Sequence, residues 1–234
     1  MLRKIDHETM GRSDHDWLAS IHHFSFASYR DPDNVRFGVL RVLNDDIVQP
    51  HTGFDTHPHR DMEIMSYVVD GELTHGDSMN NKKTVTRGQL QYMSAGKGVY
   101  HSEYNHGDEP LRFLQLWVFP DKQGHIPQYG DHAFPWEDRV NQWLHMVSPI
   151  DGDAPIRIHQ DVNLLVIDLE DGRSIDFDVA SDRQAYLIQI EGQSIVNGIK
   201  LMTRDALAVV GEPITLTAVS GHAHVLAVEM KQDK

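Results

Sequence analysis

The chain has 234 residues, the length of one large domain or two small ones, and its 40% hydrophobic and 24% charged residues can build a buried core. Its 35 acidic and 21 basic residues give a formal charge of −14 with no basic stripe to reverse it, which argues against direct binding to nucleic acid. The absence of cysteine removes disulfides, thiolate zinc sites, iron–sulfur clusters and cysteine nucleophiles, so any metal must be held by nitrogen and oxygen.

The amino-terminal stretch MLRKIDHETMGRSDHDW begins with basic residues but continues without the apolar run of a cleavable signal. No segment approaches the ~20 consecutive apolar residues of a membrane span. A cytoplasmic protein without membrane contact is the expectation. In HHFSFASYRDP, residues 22 to 32, His22 and His23 read either as polar groups near a site or as turn caps. Phe24 and Phe26 alternate and read as core or as lining of a pocket mouth.

Short apolar runs then follow one another: FGVLRVLNDDIV, EIMSYVVDGEL, LRFLQLWVFP, NLLVIDLEDG, AYLIQIEGQSIVNG and HVLAVEM. Turn signals at Val69-Asp70-Gly71, Glu170-Asp171-Gly172 and Val196-Asn197-Gly198 separate them, the pattern of hairpin-linked strands. Helical periodicity is weak, and the one candidate is a short connector in AFPWEDRVNQWLH, residues 133 to 145, where Trp136 and Trp143 would pack. The chain also repeats itself. VVDGEL, TRGQLQYM and LQLWV are followed in the same order by QIEGQS, TRDALAVV and VLAVEM. The expectation is an all-β chain of two β-barrels, residues 1–130 and 131–234, joined near the Pro- and Gly-bearing stretch from Pro120 to Pro135. Closing each sheet removes exposed strand edges.

Two stretches carry candidate metal ligands. GFDTHPHRDMEI, residues 53 to 64, holds His57 and His59; GKGVYHSEYN, residues 96 to 105, holds His101 and Glu103. Residues two apart on a strand share a face and stand roughly 6.5–7 Å apart. If the two strands adjoin, three imidazoles and one carboxylate converge, a donor set with open positions that suits redox-active iron better than a closed zinc site. The chain has 16 histidines, so a single such pair could equally decorate a solvent-facing strand. Two pairs in apolar flanks, each preceded by glycine, carry more weight. In the second copy the position matching His57 is Asp178, and PITLTA, matching the His101 strand, offers no ligand. His222 and His224 form a pair without partners, so one metal per chain is expected, in the first copy.

GFDTHPHRDMEI with its closing Gly71 resembles the first cupin motif, and GQLQYMSAGKGVYHSEYN resembles the second. Together with LRVLNDD, residues 40 to 46, and HHFSFASYRDP, these stretches resemble the pirin family. The resemblance implies two cupin (jelly-roll-type) barrels, a bicupin, with one divalent metal in the first. Its ligands would be His57, His59, His101 and Glu103. Iron(II) is the expected ion, with manganese, cobalt, nickel, copper or zinc also compatible. Glu63, from which many other cupins draw their carboxylate, becomes a pocket or supporting group. The resemblance further implies activity like that of quercetin 2,3-dioxygenase. A flavonol or similar aromatic enol loses its 3-hydroxyl proton to Glu103, binds the metal, reacts with O2 and opens with loss of carbon monoxide. The alternative it implies is a non-enzymatic, metal-binding regulator of a transcription factor or metabolic enzyme, acting through a protein partner.

Overall fold

The computed structural model describes residues 1–232, which are 61% strand and 3% helix. Two compact units share the chain. One comprises Gly11–Phe134 and Ile158–Gln160; the other comprises Met1–Met10, Pro135–Arg157 and the residues from Asp161 on. A cut at residue 130 therefore misses two short segments, which cross to the unit on the other side of it. Both do so by backbone pairing. The first strand, β1 (Leu2–Ile5), lies antiparallel to a strand of the carboxy-terminal unit, with Leu2 opposite Val209. The carbonyl of His159 accepts a 2.7 Å hydrogen bond from the Asp121 amide in the amino-terminal unit.

The amino-terminal unit contains β2 (Gly11–His15), β3 (Leu18–His22), β4 (Leu40–Val48), β5 (Thr52–His59), β6 (Glu63–Asp70), β7 (Glu72–Asp77), β8 (Lys82–Thr86), β9 (Leu90–Ser94), β10 (Val99–Asn105), β11 (Leu111–Val118) and β12 (Gln128–His132). They form a seven-stranded sheet, in order β12-β9-β6-β11-β4-β3-β2, and a four-stranded sheet, β5-β10-β7-β8. Val48, Val68, Leu111 and Phe113 of the larger sheet pack with Leu73 and Val85 of the smaller. β6 (EIMSYVVD) is buried along all but its last residue, its polar Glu63 and Ser66 included. Pro58 cannot donate to a ladder and lies on β5, at the edge of its sheet. The turn at Gly71 (φ +78°) does not close a hairpin but carries the chain from β6 in the larger sheet to β7 in the smaller; a Cβ there would come 2.8 Å from the Pro110 carbonyl oxygen.

The carboxy-terminal unit holds β13 (Leu144–Pro149), β14 (Ile156–Ile158) except for its last residue, β15 (Val162–Glu170), β16 (Ser174–Phe177), β17 (Arg183–Val196), β18 (Ile199–Leu201), β19 (Ala206–Val210) and β20 (Ile214–Lys231). One sheet runs β1-β19-β17-β20-β15-β13-β14, with β16 on β20 and β18 on β17. Leu187, Leu207, Val209, Leu216 and Val225 lie at its core. The repeat in the sequence returns here: Gly192 (φ +71°) matches Gly71, and a Cβ on it would meet the His222 carbonyl at 2.0 Å. It sits at a register shift inside the long strand β17 instead of ending a strand. The connector is shorter than the sequence suggests, a single 3₁₀ turn over Trp136–Arg139. Pro135 opens it and Asn141, at φ +56°, lies just beyond it. Trp136 stacks with Arg139, 4.6 Å away, while Trp143 packs on Phe177.

Because β1 covers one edge of β19, deleting residues 1–6 should expose that edge and remove the Lys4–Asp205 ion pair of 2.7 Å. The expected result is faster hydrogen exchange at the amides of Ala206–Val210, measured by mass spectrometry, with the strands around His57 and His101 unchanged.

Candidate metal centre

The strands bearing the two ligand pairs are neighbours. β5 and β10 pair antiparallel, with His101 directly opposite His57 and Val99 opposite His59. Directly opposed residues point to the same face. The rings of His57, His59 and His101 accordingly meet with centroids 4.5 to 4.8 Å apart, and their nitrogens lie within 4.8 Å of one another.

Hydrogen bonds fix which nitrogens face inward. His57 Nδ1 lies 2.7 Å from the Asp55 carbonyl oxygen, which only accepts, so Nδ1 carries the proton and the neutral ring leaves Nε2 bare. On the neighbouring strand His75 Nε2 donates to Asp77 Oδ2 at 2.9 Å, which leaves His75 Nδ1 as an acceptor. It faces His101 Nδ1 across a long 3.5 Å contact, so that His101 too turns a bare Nε2 inward. The two bare nitrogens stand 3.1 Å apart. Burial, then the nearby His57 and His75, push His101 down to about 3 against the opposing pull of Asp77. Burial, then His101 and His57, push His59 down to about 4, with Glu103 opposing. Facing lone pairs on neutral rings repel, and a cation between them removes the repulsion. Two cis nitrogen ligands, each about 2.1 Å from a metal, stand about 3.0 Å apart. The residues therefore fit a divalent metal.

Glu103 sits in a second group, with ligand atoms of His75, His101 and Glu103 within 4.8 Å of one another. Between His101 and Glu103 the register shifts, so Glu103 pairs with Phe54 where regular pairing would give Asp55. Its carboxylate takes a hydrogen bond from Ser66 Oγ (2.8 Å) and Gln91 Nε2 (2.7 Å) on Oε1, and from Gln115 Nε2 (2.5 Å) on Oε2. Trp117 Nε1 donates to Gln115 Oε1 at 3.2 Å and holds that amide in orientation. A carboxylate has about four lone-pair positions, so one is left for a metal.

Glu63 is engaged elsewhere. It is buried on β6, accepting from Ser94 Oγ (2.6 Å), Tyr92 hydroxyl (3.0 Å) and the His159 amide (3.3 Å). These bonds make it a structural clamp outside both metal-competent groups of this unit. His222 and His224 give their Nδ1 atoms to Asp168 and Glu191, each at 2.8 Å.

A cavity of about 330 Å³ opens beside two of the three imidazoles. Its walls are largely apolar, including Trp17, Leu18, Phe26, Phe54 and Trp117, and it reaches His57 and His59. His59 meets the edge of Trp117 at 4.8 Å. Of the aromatic and histidine pairs noted in the sequence, Phe26 and His22 line this cavity, while Phe24 and His23 are buried. The His75–Asp77 support escapes sequence reading. Its only trace is the alternation in THGD, and which strand β7 adjoins depends on long-range pairing.

Comparison with known proteins bears on this centre. The family model for pirin matches residues 4–118, and a quercetinase C-terminal cupin domain model matches residues 145–230. The chain is 40% identical to quercetin 2,3-dioxygenase of Escherichia coli strain K12 over 95% of its own length and 93% of that protein. The chain belongs to the pirin family. It is also 41% identical to a pirin-like protein of Caulobacter vibrioides, covering 97% of this chain and 98% of the other. The crystal structure of bacterial pirin YhhW from Escherichia coli in complex with nickel(II) superposes on this pirin with a TM-score of 0.93 at 36% identity, covering all of both chains. The two-domain, all-β cupin fold is thereby established.

If His75 fixes the tautomer of His101, His75→Phe should keep the stacking on Tyr129 (ring centroids 4.4 Å) but remove the acceptor behind His101. Competition against a chelator should then show metal affinity about 10- to 100-fold weaker, with the melting of the metal-free protein little changed. Unaltered affinity would reduce the pair to packing.

Proposed function

We propose that this pirin is a metal-dependent dioxygenase that opens the ring of a flavonol or similar aromatic enol, taking up O2 and releasing carbon monoxide. His57, His59, His101 and Glu103 would hold one divalent ion, iron(II) in the native protein. The observation that carries the reading is the apolar cavity of about 330 Å³ that opens directly onto His57 and His59. This lies within the usual size range for small-molecule sites, roughly 300–1,000 Å³. Relatives that carry the name quercetin 2,3-dioxygenase support the choice of substrate class.

A bound divalent ion would supply the positive charge that favours an enolate over the neutral enol. The chain's own residues do the rest. Glu103, oriented by Ser66, Gln91 and Gln115, is the proton acceptor for the 3-hydroxyl. Phe26, Phe54 and Trp117 form flat walls that hold an aromatic ring and keep water from it. The imidazoles of His59 and His101 stay neutral at physiological pH, so they contribute lone pairs without adding charge.

The protein purified without oxygen and loaded with iron(II) should consume O2 and release carbon monoxide from quercetin. His101→Ala should lose stoichiometric metal, by elemental analysis, and keep its fold, since the apolar core is independent of the site. Glu103→Gln keeps shape and an oxygen ligand but not the base; its turnover should stay low even at saturating metal. Full recovery on adding metal would leave Glu103 a ligand only. Wild-type turnover no faster than free metal would exclude the enzyme and leave the regulatory reading.

A further inference from the structure

The cavity has a polar side, formed by Ser13, Ser20, His22, Asn44, Asp46 and Gln115, of which the ring-opening chemistry uses only Gln115, through Glu103. Most of these groups satisfy one another. His22 bridges Ser13 Oγ (2.8 Å) and Asn44 Oδ1 (2.9 Å), and Gln115 is held between Glu103 and Trp117. Asp46 is different. It is 2% exposed, Ser20 from the neighbouring strand hydrogen-bonds its carboxyl, and its Oδ1 has no hydrogen-bond partner among the described residues. It is the one side chain of the cavity wall with such an atom.

An unsatisfied buried carboxyl oxygen is costly and is seldom left without a role. Here it belongs to a wall otherwise made to receive a flat apolar molecule. Burial is the largest influence on this carboxyl and pushes it up to about 7; the Ser20 hydrogen bond opposes the shift, and the charges of Asp45 and Glu103 add to it. A phenolic hydroxyl suits such a group, because it can donate to the carboxylate and accept from the acid. An aliphatic or hydroxyl-free ligand would leave it unsatisfied. The penalty then falls on the wrong ligand, which is how a buried polar group discriminates between similar molecules.

We propose that Asp46 is a specificity-determining residue whose free carboxyl oxygen takes a ring hydroxyl of the ligand, one other than the enol hydroxyl that faces the histidines. The substrate class narrows accordingly, from aromatic enols in general to polyphenols with a second, correctly placed hydroxyl. This rests on the flavonol reading above, and the test separates the two.

The protein loaded with zinc, which does not turn over, is titrated without oxygen with two probes. Quercetin carries ring hydroxyls beyond the enol; 3-hydroxyflavone carries the enol alone. The wild type should bind quercetin about tenfold tighter or more, the worth of a hydrogen bond to such a group. Asp46→Leu, of similar bulk, should bring quercetin close to 3-hydroxyflavone while leaving 3-hydroxyflavone and zinc content unchanged. Asp46→Asn, which keeps the shape and one acceptor, should lose part of the same preference and serves if the leucine variant does not fold. Equal affinity of the wild type for both probes would overturn the role of Asp46 and leave the flavonol reading intact, as would equal weakening of both by the variants. A zinc-loaded wild type that binds neither probe would overturn the flavonol reading itself, and this inference with it.

Discussion

The site hangs on the carboxylate of Glu103, which accepts one hydrogen bond from each of three adjacent strands of the facing sheet: Ser66 on β6, Gln91 on β9 and Gln115 on β11. Those donors are not scattered. His22 opposes Asn44, Asn44 opposes Gln115, Gln115 opposes Ser66, and Ser66 opposes Gln91, so five polar residues cross five strands in one row. Such a row inside a sandwich would be heavily penalised if left unpaired. Hydrogen bonds to a charged partner contribute about 1.5–3 kcal/mol each, and an isolated buried carboxylate would cost more than any of them returns. The donors and Glu103 therefore need one another. That mutual need fixes how β10 faces the larger sheet, and His101 is carried into place two residues before Glu103.

From this clamp the metal centre follows by short steps. β5 pairs with β10, so His57 and His59 arrive beside His101 by strand register alone. Polar contacts at the back of two of the rings then set which nitrogen is bare: the Asp55 carbonyl behind His57, and Asp77 through His75 behind His101. The same sheet that grips Glu103 also presents Trp117 and Asp46 to the cavity, one rung on either side of the polar row. In the carboxy-terminal unit, His222 and His224 turn their Nδ1 atoms to Asp168 and Glu191, and strand geometry there serves packing.

Much of this was legible in the sequence, for reasons that can be named. The strand pattern, the turn at Gly71 and the alternation that puts His57 with His59 and His101 with Glu103 on shared faces are all local, and strand parity is enough to read them; Gly192, the counterpart of Gly71 in the repeat, lies inside β17 instead of at a turn. What escaped depends on register between distant strands. No local signal places β7 beside β10, so His75 and Asp77 could not be linked to His101. Parity alone left Glu63 open as a ligand; only the pairing of β6 with β9 shows it spent on Tyr92 and Ser94. The Asn44-Asp45-Asp46 run reads as polar in sequence, yet all three residues are buried, because each finds its place in a sheet seven strands wide. The assignment of β1 to the carboxy-terminal unit is likewise a matter of pairing, in which the first residues of the chain meet a strand some 200 positions away.

The central claim is that one metal lies among three imidazoles, two of which, His57 and His101, have a bare nitrogen turned to it by hydrogen bonds behind them. Anomalous diffraction from crystals of the protein loaded with a first-row metal, collected at that metal's absorption edge, addresses it most directly. The account predicts a single strong peak between His57, His59 and His101, within bonding reach of Glu103. A peak at His222 and His224, a peak at the Asp6, His7 and Asp205 cluster, or none at the three imidazoles would contradict it.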